Sequence, residues 1–141
     1  MASIRKDIAV DAPADHVWAA LRDIGGVHTR LAQDFVVDTR LEGDSRLVTF
    51  ANGAVVRERI VDVDDGSRRL AYSAVEWRAT HHHASFQVFA EGAERSRIVW
   101  IADLLPDDLA DLVDAMMEQG SAAIKRTLEG TMPRQHVEGL P

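Results

Sequence analysis

The sequence has no cysteine, few aromatic residues and no long hydrophobic run. Without cysteine the chain can form no disulfide, thiolate metal site or thiol nucleophile, and this composition fits a reducing compartment. No stretch approaches the roughly 18 consecutive apolar residues of a membrane-spanning helix. The first ten residues also lack the apolar core of a signal peptide. We therefore expect a cytoplasmic protein without a membrane span.

Basic residues are outnumbered, since 16 Lys and Arg stand against 23 Asp and Glu and the formal net charge is -7. Nucleic acids bind basic surfaces, so this balance argues against a nucleic-acid partner. The sequence also lacks a phosphate-binding loop, a dinucleotide-binding fingerprint and a nucleophile elbow. Kinase, dehydrogenase and hydrolase activities therefore have no residues to carry them, and we expect no cofactor.

The length of 141 residues is sufficient for one domain with a core of its own. No repeat, low-complexity run or linker divides the chain, so residues 1–130 are expected to form a single domain. Residues 131–141, which contain two prolines, are expected to be a flexible tail. Monomer and homodimer both remain open.

The period of the apolar residues changes along the chain. Residues 3–10 alternate between apolar and polar, which predicts a strand. Helical spacing through residues 13–24 predicts a first helix, and residues 27–31 allow a short second one. From Phe35 to Leu105 the period is two, in six runs separated by short turns. Such turns leave no room for crossover helices, so the six runs predict an antiparallel meander.

The stretch from Pro106 to Leu128 predicts a long amphipathic helix. Its apolar residues recur every three or four positions and share one face; they are Leu109, Leu112, Val113, Met116, Met117, Gly120, Ile124 and Leu128. Because Gly120 and Ala123 are small, we expect space beneath the helix. The sequence thus predicts an α+β fold in which a curved antiparallel sheet of about seven strands wraps around this helix, with two short helices after the first strand.

Several local signatures accompany this order of elements; they are Gly43, Arg46, Gly53, Glu58, Asp64-Asp65, Val99-Trp100 and Leu105-Pro106. With them the chain resembles the START-like, or SRPBCC, superfamily of helix-grip proteins, which includes polyketide cyclase/dehydrase-like proteins. The resemblance extends from the Val17-Trp18 helix to the final helix. It implies a cavity between sheet and final helix that holds a hydrophobic small molecule, but not which one, since one fold hosts many functions.

The run from Arg46 to Asp65 is more distantly similar to the plant abscisic acid receptors. That similarity implies that Glu58 lines the pocket and hydrogen-bonds water around the ligand. However, Ala54-Val55 replaces the receptors' Leu-Pro gate, and residues 77–80 contain no counterpart of their His-Arg-Leu latch. We therefore do not expect a gate-and-latch hormone receptor.

Period-two alternation predicts which side chains face the cavity. The inward sets are chosen to avoid burying unpaired charges; they are Val56, Glu58 and Ile60; Leu70, Tyr72 and Ala74; His82, Ala84, Phe86 and Val88; and Ile98, Trp100, Ala102 and Leu104. Two interpretations of Glu58 stay open. It is a pocket carboxylate that binds ligand or water, or it is the partner of a cross-strand Arg46 or Arg69.

His82 is the other polar candidate on an inward face. An imidazole there could donate a hydrogen bond to a ligand carbonyl or act as an acid or base near neutral pH. The alternative is an ordinary wall residue with its hydrogen bonds satisfied. His81 and His83 share the outer face, but two ligands do not make a zinc site, so we expect no bound metal.

The other predicted ligand contacts are aromatic, sulfur-containing or basic side chains; they are Tyr72, Trp77, Phe86, Trp100, Met116, Met117 and Arg30. Trp77 lies beside a loop at the predicted mouth of the cavity, and the methionines lie on the predicted helical face. The resemblance implies that Arg30 lies at the mouth, where it could meet an acidic ligand group. For the aromatic and methionine residues, core packing is the alternative interpretation.

Three functions stay open at this point. In the first, the protein binds, carries or sequesters a hydrophobic small molecule such as a lipid, polyketide or isoprenoid. In the second, it is a polyketide cyclase or aromatase whose cavity folds the substrate while His82 or Glu58 transfers protons. In the third, it is an interaction module without a ligand.

Overall fold

The computed structural model describes residues 2–133. Residues 134–141 of the predicted tail lie outside this range. Seven strands form one sheet; they are β1 (Ala2–Val10), β2 (Val36–Glu42), β3 (Ser45–Phe50), β4 (Val55–Asp64), β5 (Arg69–Val75), β6 (His81–Ala90) and β7 (Ser96–Leu105). The spatial order is β1-β7-β6-β5-β4-β3-β2, and every pairing is antiparallel. The predicted meander is therefore confirmed, with β1 added beside β7.

Tight turns join the strands at one edge of the sheet. Gly43, between β2 and β3, has a φ of 61°, and Gly53, between β3 and β4, has a φ of 91°. Residues with a Cβ rarely adopt these left-handed conformations. The two glycines therefore allow the short connections that keep β2, β3 and β4 adjacent.

Two α-helices and two short helical turns complete the fold. Helix α1 (Ala14–Arg22) is followed by a π-helical turn (Val27–Leu31). A 3-10 turn (Asp107–Leu109) leads into the long helix α2 (Ala110–Gly130). The long helix is thus confirmed, although its α-helical part begins four residues after Pro106. Among residues 2–133, no helix is both long and apolar enough to cross a membrane.

Helix α2 buries a stripe of side chains against the sheet; its buried members are Val113, Met117, Gly120, Ala123, Ile124, Thr127 and Leu128. Leu112 was expected on this face but is 40% exposed. Successive residues of an α-helix point about 100° apart, so Leu112 lies outside the stripe that begins at Val113. The outcome is a narrower apolar face than the sequence suggested.

Polar contacts hold α2 beside β1. The ammonium group of Lys6 lies 2.5 Å from a carboxylate oxygen of Asp114 and 2.7 Å from one of Glu118. Lys125 Nζ donates to the backbone oxygen of Ala9 at 2.8 Å. These contacts lie at the middle of β1 and near its C-terminal end, and they hold the helix against this strand.

Helix α1 is anchored to the turn between β4 and β5. The indole Nε1 of Trp18 donates to Oδ1 of Asp65 at 2.9 Å, and Nε of Arg22 donates to the same oxygen at 2.9 Å. Trp18 is 7% exposed and belongs to the main core. Its bond links α1 to the turn between β4 and β5, a contact that the sequence alone did not indicate.

Candidate functional site

A cavity lies between the concave face of the sheet and α2, and it is partly open to solvent. Its volume, measured over the positions that the centre of a water molecule can occupy, is about 100 Å³. That space exceeds the roughly 15 Å³ that one water needs by the same kind of measure. The sheet and the helix therefore do not fill the space between them.

The lining of the cavity is almost wholly apolar. Aromatic rings form much of it; they are Phe35, Phe50, Tyr72, Trp77, Phe86 and Trp100. Aliphatic and sulfur-containing side chains come from α2 and from the segment around the π-helical turn; they include Val27, Leu31, Ala32, Val36, Val113, Met116, Met117 and Ile124. Such a surface gains free energy when a ligand removes it from water.

Three stacked rings form the floor of the cavity. Phe86 lies between the other two, with its centroid 4.6 Å from Trp100 and 5.9 Å from Tyr72, and both ring pairs are nearly parallel. Register explains the arrangement, because Phe86 is directly opposite Trp100 in the β6–β7 ladder. We call Tyr72, Phe86 and Trp100 the aromatic stack.

The Trp100 ring of this stack lies close to Gly120 of α2. A Cβ added to Gly120 would lie 3.1 Å from two carbons of the Trp100 ring and 3.2 Å from one of Phe35. The absence of a side chain at Gly120 therefore lets α2 approach the indole closely. The expected space between α2 and the sheet is present, and Gly120 is among the residues that line it.

Arg46 and Glu58 form an ion pair in the cavity wall. They are directly opposite in the β3–β4 ladder, and Arg46 Nε donates to Oε1 of Glu58 at 2.8 Å. Their side chains are only 3% and 12% exposed. Arg46 also donates to the backbone oxygen of Ile24 at 3.4 Å and lies over the ring of Tyr72, 5.4 Å from its centroid. Glu58 therefore lines the cavity and is the cross-strand partner of Arg46, while its binding of a ligand or water stays a prediction.

His82 lies on the cavity side of β6, between two aromatic rings. Its ring centroid is 6.0 Å from that of Tyr72 and 6.4 Å from that of Trp77. The backbone N–H of Ala74 donates to His82 Nδ1 at 2.9 Å. Burial, and secondarily the neighbouring His83 and His81, lowers the pKa of His82 to about 4. The imidazole is therefore uncharged at neutral pH.

Tyr72 is the most deeply placed polar group of the aromatic stack. It is 5% exposed, and its oxygen accepts a hydrogen bond from Trp100 Nε1 at 3.1 Å. Burial, with the negative charge of Glu58 as a smaller contribution, raises the pKa of the Tyr72 hydroxyl far above its ordinary value. Tyr72 therefore keeps its proton at any physiological pH.

The predicted site residues are mostly brought together. Those that line the cavity are Glu58, Tyr72, Trp77, His82, Phe86, Trp100, Met116 and Met117. Arg30 is a correction, because it does not line the cavity. Its Nη1 donates to Oδ2 of Asp23 at 3.0 Å, and its side chain is 47% exposed. The carboxylate seven residues earlier thus holds the Arg30 side chain in an exposed ion pair.

Sequence reasoning missed part of the wall. Phe35 and Phe50 meet edge to face with centroids 5.3 Å apart, and both line the cavity. Phe35 lies just before β2 and Phe50 ends β3, so neither belongs to a long alternating run. The sequence contained one indication that these residues line the cavity, namely that aromatic residues are scarce. The chain has three Trp, one Tyr and four Phe. A chain with so few rings places most of them here.

No group of three His, Cys, Asp or Glu side chains among residues 2–133 is arranged to hold a metal ion. His81 is exposed and His83 is half-buried on the outer side of β6. The expectation that this pair binds no metal stays a prediction.

The open antiparallel sheet, the long C-terminal helix and the apolar cavity between them define the START-like, or SRPBCC, class of helix-grip proteins. Within that class the chain belongs to the family described as polyketide cyclase / dehydrase and lipid transport, whose model matches residues 1–131. No curated protein has a significant sequence match to the chain.

Solved structures share the fold. An uncharacterised protein from Bacillus thuringiensis has a TM-score of 0.80 at 18% identity, covering 90% of this chain and 98% of that one. The di-domain ARO/CYC BexL from the BE-7585A biosynthetic pathway has a TM-score of 0.78 at 19% identity, covering 94% and 48%. The Zhui aromatase/cyclase from Streptomyces sp. R1128 has a TM-score of 0.67 at 23% identity, covering 92% of both chains. At these identities the likeness extends to the fold alone.

Proposed function

We propose that the protein binds a hydrophobic small molecule, such as a polyketide, lipid or isoprenoid, in the cavity between the sheet and α2. The observation that carries the proposal is an open space whose walls are aromatic and aliphatic side chains. A protein without a ligand would gain stability by closing such a space, because unfilled apolar volume costs packing energy. The family description, which includes both polyketide chemistry and lipid transport, supports the same conclusion.

The energetics of burial are sufficient for useful affinity. A ligand that buries roughly 300 Å² of apolar surface gains about 7 kcal/mol at about 25 cal/mol per Å². Loss of translational and rotational freedom offsets much of this gain. Contact with the ring of Trp77 adds to it for planar ligands.

Native mass spectrometry of the protein purified from its own host tests the proposal. We expect a co-purified apolar molecule that is released when the protein is denatured. The Ala74→Phe variant should carry less of it, because Ala74 lines the cavity. Val75→Phe is the matched control, since it adds the same ring one residue further along β5, at a position that does not line the cavity. Equal occupancy in both variants would show that the molecule binds elsewhere.

Polyketide cyclase activity is the second candidate, and the Arg46–Glu58 pair favours it. A buried ion pair is costly in a cavity that only needs to hold an apolar ligand. Charged groups in such a wall can stabilise charge that develops during cyclisation. His82 suits the role of general base less well, because its pKa of about 4 leaves it a weak proton acceptor.

Turnover assays with linear polyketide analogues separate the two candidates. If the cavity is catalytic, Glu58→Gln should abolish product formation while ligand binding, measured by intrinsic tryptophan fluorescence, persists. Arg30→Gln is the control, since its side chain lies outside the cavity. Unchanged turnover in Glu58→Gln would remove this carboxylate from any catalytic role.

A further inference from the structure

The hydrogen bond from Ala74 fixes the position of the proton on His82. A backbone N–H can only donate, so Nδ1 of His82 must be the unprotonated nitrogen that accepts this bond. The ring is neutral at pH 7, and a neutral imidazole carries one proton. That proton is therefore on Nε2, which makes Nε2–H a hydrogen-bond donor.

This donor has no acceptor within residues 2–133. The ring bond that the structure gives His82 is the one at Nδ1, and its aromatic neighbours Tyr72 and Trp77 meet it through their rings. The side chain lies in the cavity wall. An N–H group in such a wall is expected to pair with water or with a ligand atom.

Tyr72 presents a second donor to the same cavity. Its oxygen already accepts the bond from Trp100 Nε1, and its own hydroxyl proton has no acceptor in the described part of the chain. With an exposure of 5%, Tyr72 has little access to bulk water. Buried hydroxyl groups of tyrosine normally find a partner, so this proton also calls for an acceptor in the cavity.

The two donors are neighbours in the wall. Tyr72 is opposite Ala84 in the β5–β6 ladder, and His82 precedes Ala84 by two residues on the same face. The ring centroids of Tyr72 and His82 are 6.0 Å apart. A carbonyl oxygen has two lone pairs and can accept two hydrogen bonds.

We propose that the ligand of this cavity is a planar ring compound with a ketone or quinone carbonyl, whose oxygen accepts hydrogen bonds from Tyr72 O–H and His82 Nε2–H. The proposal rests on the binding function proposed above and adds the chemical class of the ligand. A neutral carbonyl fits better than a carboxylate, because the nearest cation, Arg46, is already paired with Glu58. The aromatic lining, which includes Trp77 outside the stack, favours a flat ligand ring that can pack against it.

Three naphthalene probes of similar shape test the inference by isothermal titration calorimetry. They are 2-acetylnaphthalene with a carbonyl, 1-(2-naphthyl)ethanol with a hydroxyl, and 2-ethylnaphthalene without oxygen. We expect the ketone to bind at least tenfold more tightly than 2-ethylnaphthalene and more tightly than the alcohol. An alcohol that binds more tightly than the ketone would overturn the assignment of a carbonyl.

Substitutions of the two donor residues test whether these donors cause the preference for the ketone over 2-ethylnaphthalene. Tyr72→Phe and His82→Asn should each reduce the ketone preference about threefold or more, while affinity for 2-ethylnaphthalene stays within about twofold. Asparagine can still accept from the Ala74 N–H near the position of Nδ1 but has no donor at the position of Nε2. His83→Asn is the matched control on the other face of β6 and should keep the wild-type preference.

The outcomes distinguish this inference from the proposed function. Equal affinity for the ketone and 2-ethylnaphthalene, or a preference unchanged in both variants, overturns the carbonyl assignment and leaves hydrophobic binding intact. If none of the three probes binds, the cavity does not accept planar rings. In that case this inference fails, while a co-purified acyclic lipid would still support the proposed function.

Discussion

At the residue scale, the wall of the cavity contains one buried ion pair whose two members depend on each other. Arg46 is the more deeply buried partner, at 3% exposure against 12% for Glu58. Removing one charge leaves the other without compensation in a medium of low polarity, whereas removing both avoids that cost. Neither charge can therefore be removed alone without a loss of stability, although the pair as a whole need not stabilise the protein.

Glu58→Leu should lower the free energy of unfolding by about 3 kcal/mol, because it leaves the Arg46 guanidinium buried and unpaired. The double variant Arg46→Met/Glu58→Leu should recover most of this loss. Urea unfolding followed by tryptophan fluorescence measures both effects. Arg30→Met is the control for an exposed pair of similar length, at 3.0 Å from Asp23, and should cost less than about 1 kcal/mol. A double variant less stable than the single would contradict this account.

Because the pKa of His82 is lowered in the folded protein, the free energy of unfolding should depend on pH. Between pH 6.5 and about 4, the unfolded chain protonates this histidine while the folded chain does not. Stability should therefore fall as the pH drops through that window, by up to about 3 kcal/mol.

Carboxylates such as Asp65 and Glu129, whose pKa values are lowered by Arg22 and Lys125 respectively, also lose stabilising contacts in acid. The informative quantity is therefore the difference between wild type and His82→Gln. Unfolding at pH 7 and pH 4.5 should show a smaller loss in the variant. Identical losses would mean that His82 is protonated alike in both states.

At the element scale, simple alternation was sufficient to place the strands and their faces. The predicted inward residues of β4 to β7 lie toward the core or the cavity, including Ile98 and Leu104 at 0% and 2% exposure. This succeeded because one face of an antiparallel sheet is buried, and the period of two then leaves one consistent register.

The site was less predictable than the strands. Arg30 was assigned to the mouth by resemblance, yet Asp23 holds it on the surface, and loop geometry of this kind leaves no periodic signal. The hydrogen bond from Ala74 to His82 depends on where β5 ends relative to β6. That offset is set by three-dimensional packing, so the tautomer of His82 could not be read from the sequence.

At position 120, helix propensity favours alanine, whereas packing against Trp100 favours glycine. Alanine would raise the propensity of α2 by about 1 kcal/mol, but its Cβ would lie 3.1 Å from the Trp100 ring. That ring is fixed by its stacking on Phe86 and its bond to Tyr72. We expect Gly120→Ala to destabilise the protein by about 1 kcal/mol net.

Thermal unfolding measures this effect, and Gly130→Ala is the control. A Cβ at Gly130, the last residue of α2, meets nothing within 4 Å, so this variant should be neutral or slightly stabilising. If Gly120→Ala were as stable as Gly130→Ala, the close approach of helix and indole would have no energetic consequence.

At the scale of the whole molecule, the contacts at the end of α2 bear on the domain boundary. Residues 1–130 were predicted to form the domain, and that boundary stays a prediction. However, Thr131 Oγ1 lies 3.3 Å from His16 Nε2 in α1, and Met132 packs against the core. These contacts suggest that the folded unit extends a few residues past Gly130.

Two truncated chains test this extension. A chain of residues 1–133 keeps the contacts of Thr131 and Met132, whereas a chain of residues 1–130 loses them. The shorter chain should unfold at a temperature several degrees lower, in line with a loss of about 1–2 kcal/mol. Differential scanning calorimetry of the two proteins at equal concentration provides the comparison. Equal melting temperatures would restore Gly130 as the functional end of the domain.

The separation of sheet and α2 by an unfilled space has a consequence for how this molecule can change over generations. The backbone bonds of the sheet run from strand to strand, and those of α2 run within the helix. The side chains of lining residues such as Val48, Val113 and Met116 take no part in either set of backbone bonds. Substitutions at these positions change the shape of the cavity and the side-chain contacts around it. The backbone hydrogen bonds of the sheet and of α2 stay in place. A duplicated copy of the gene could therefore change the shape of its cavity well before it lost the fold.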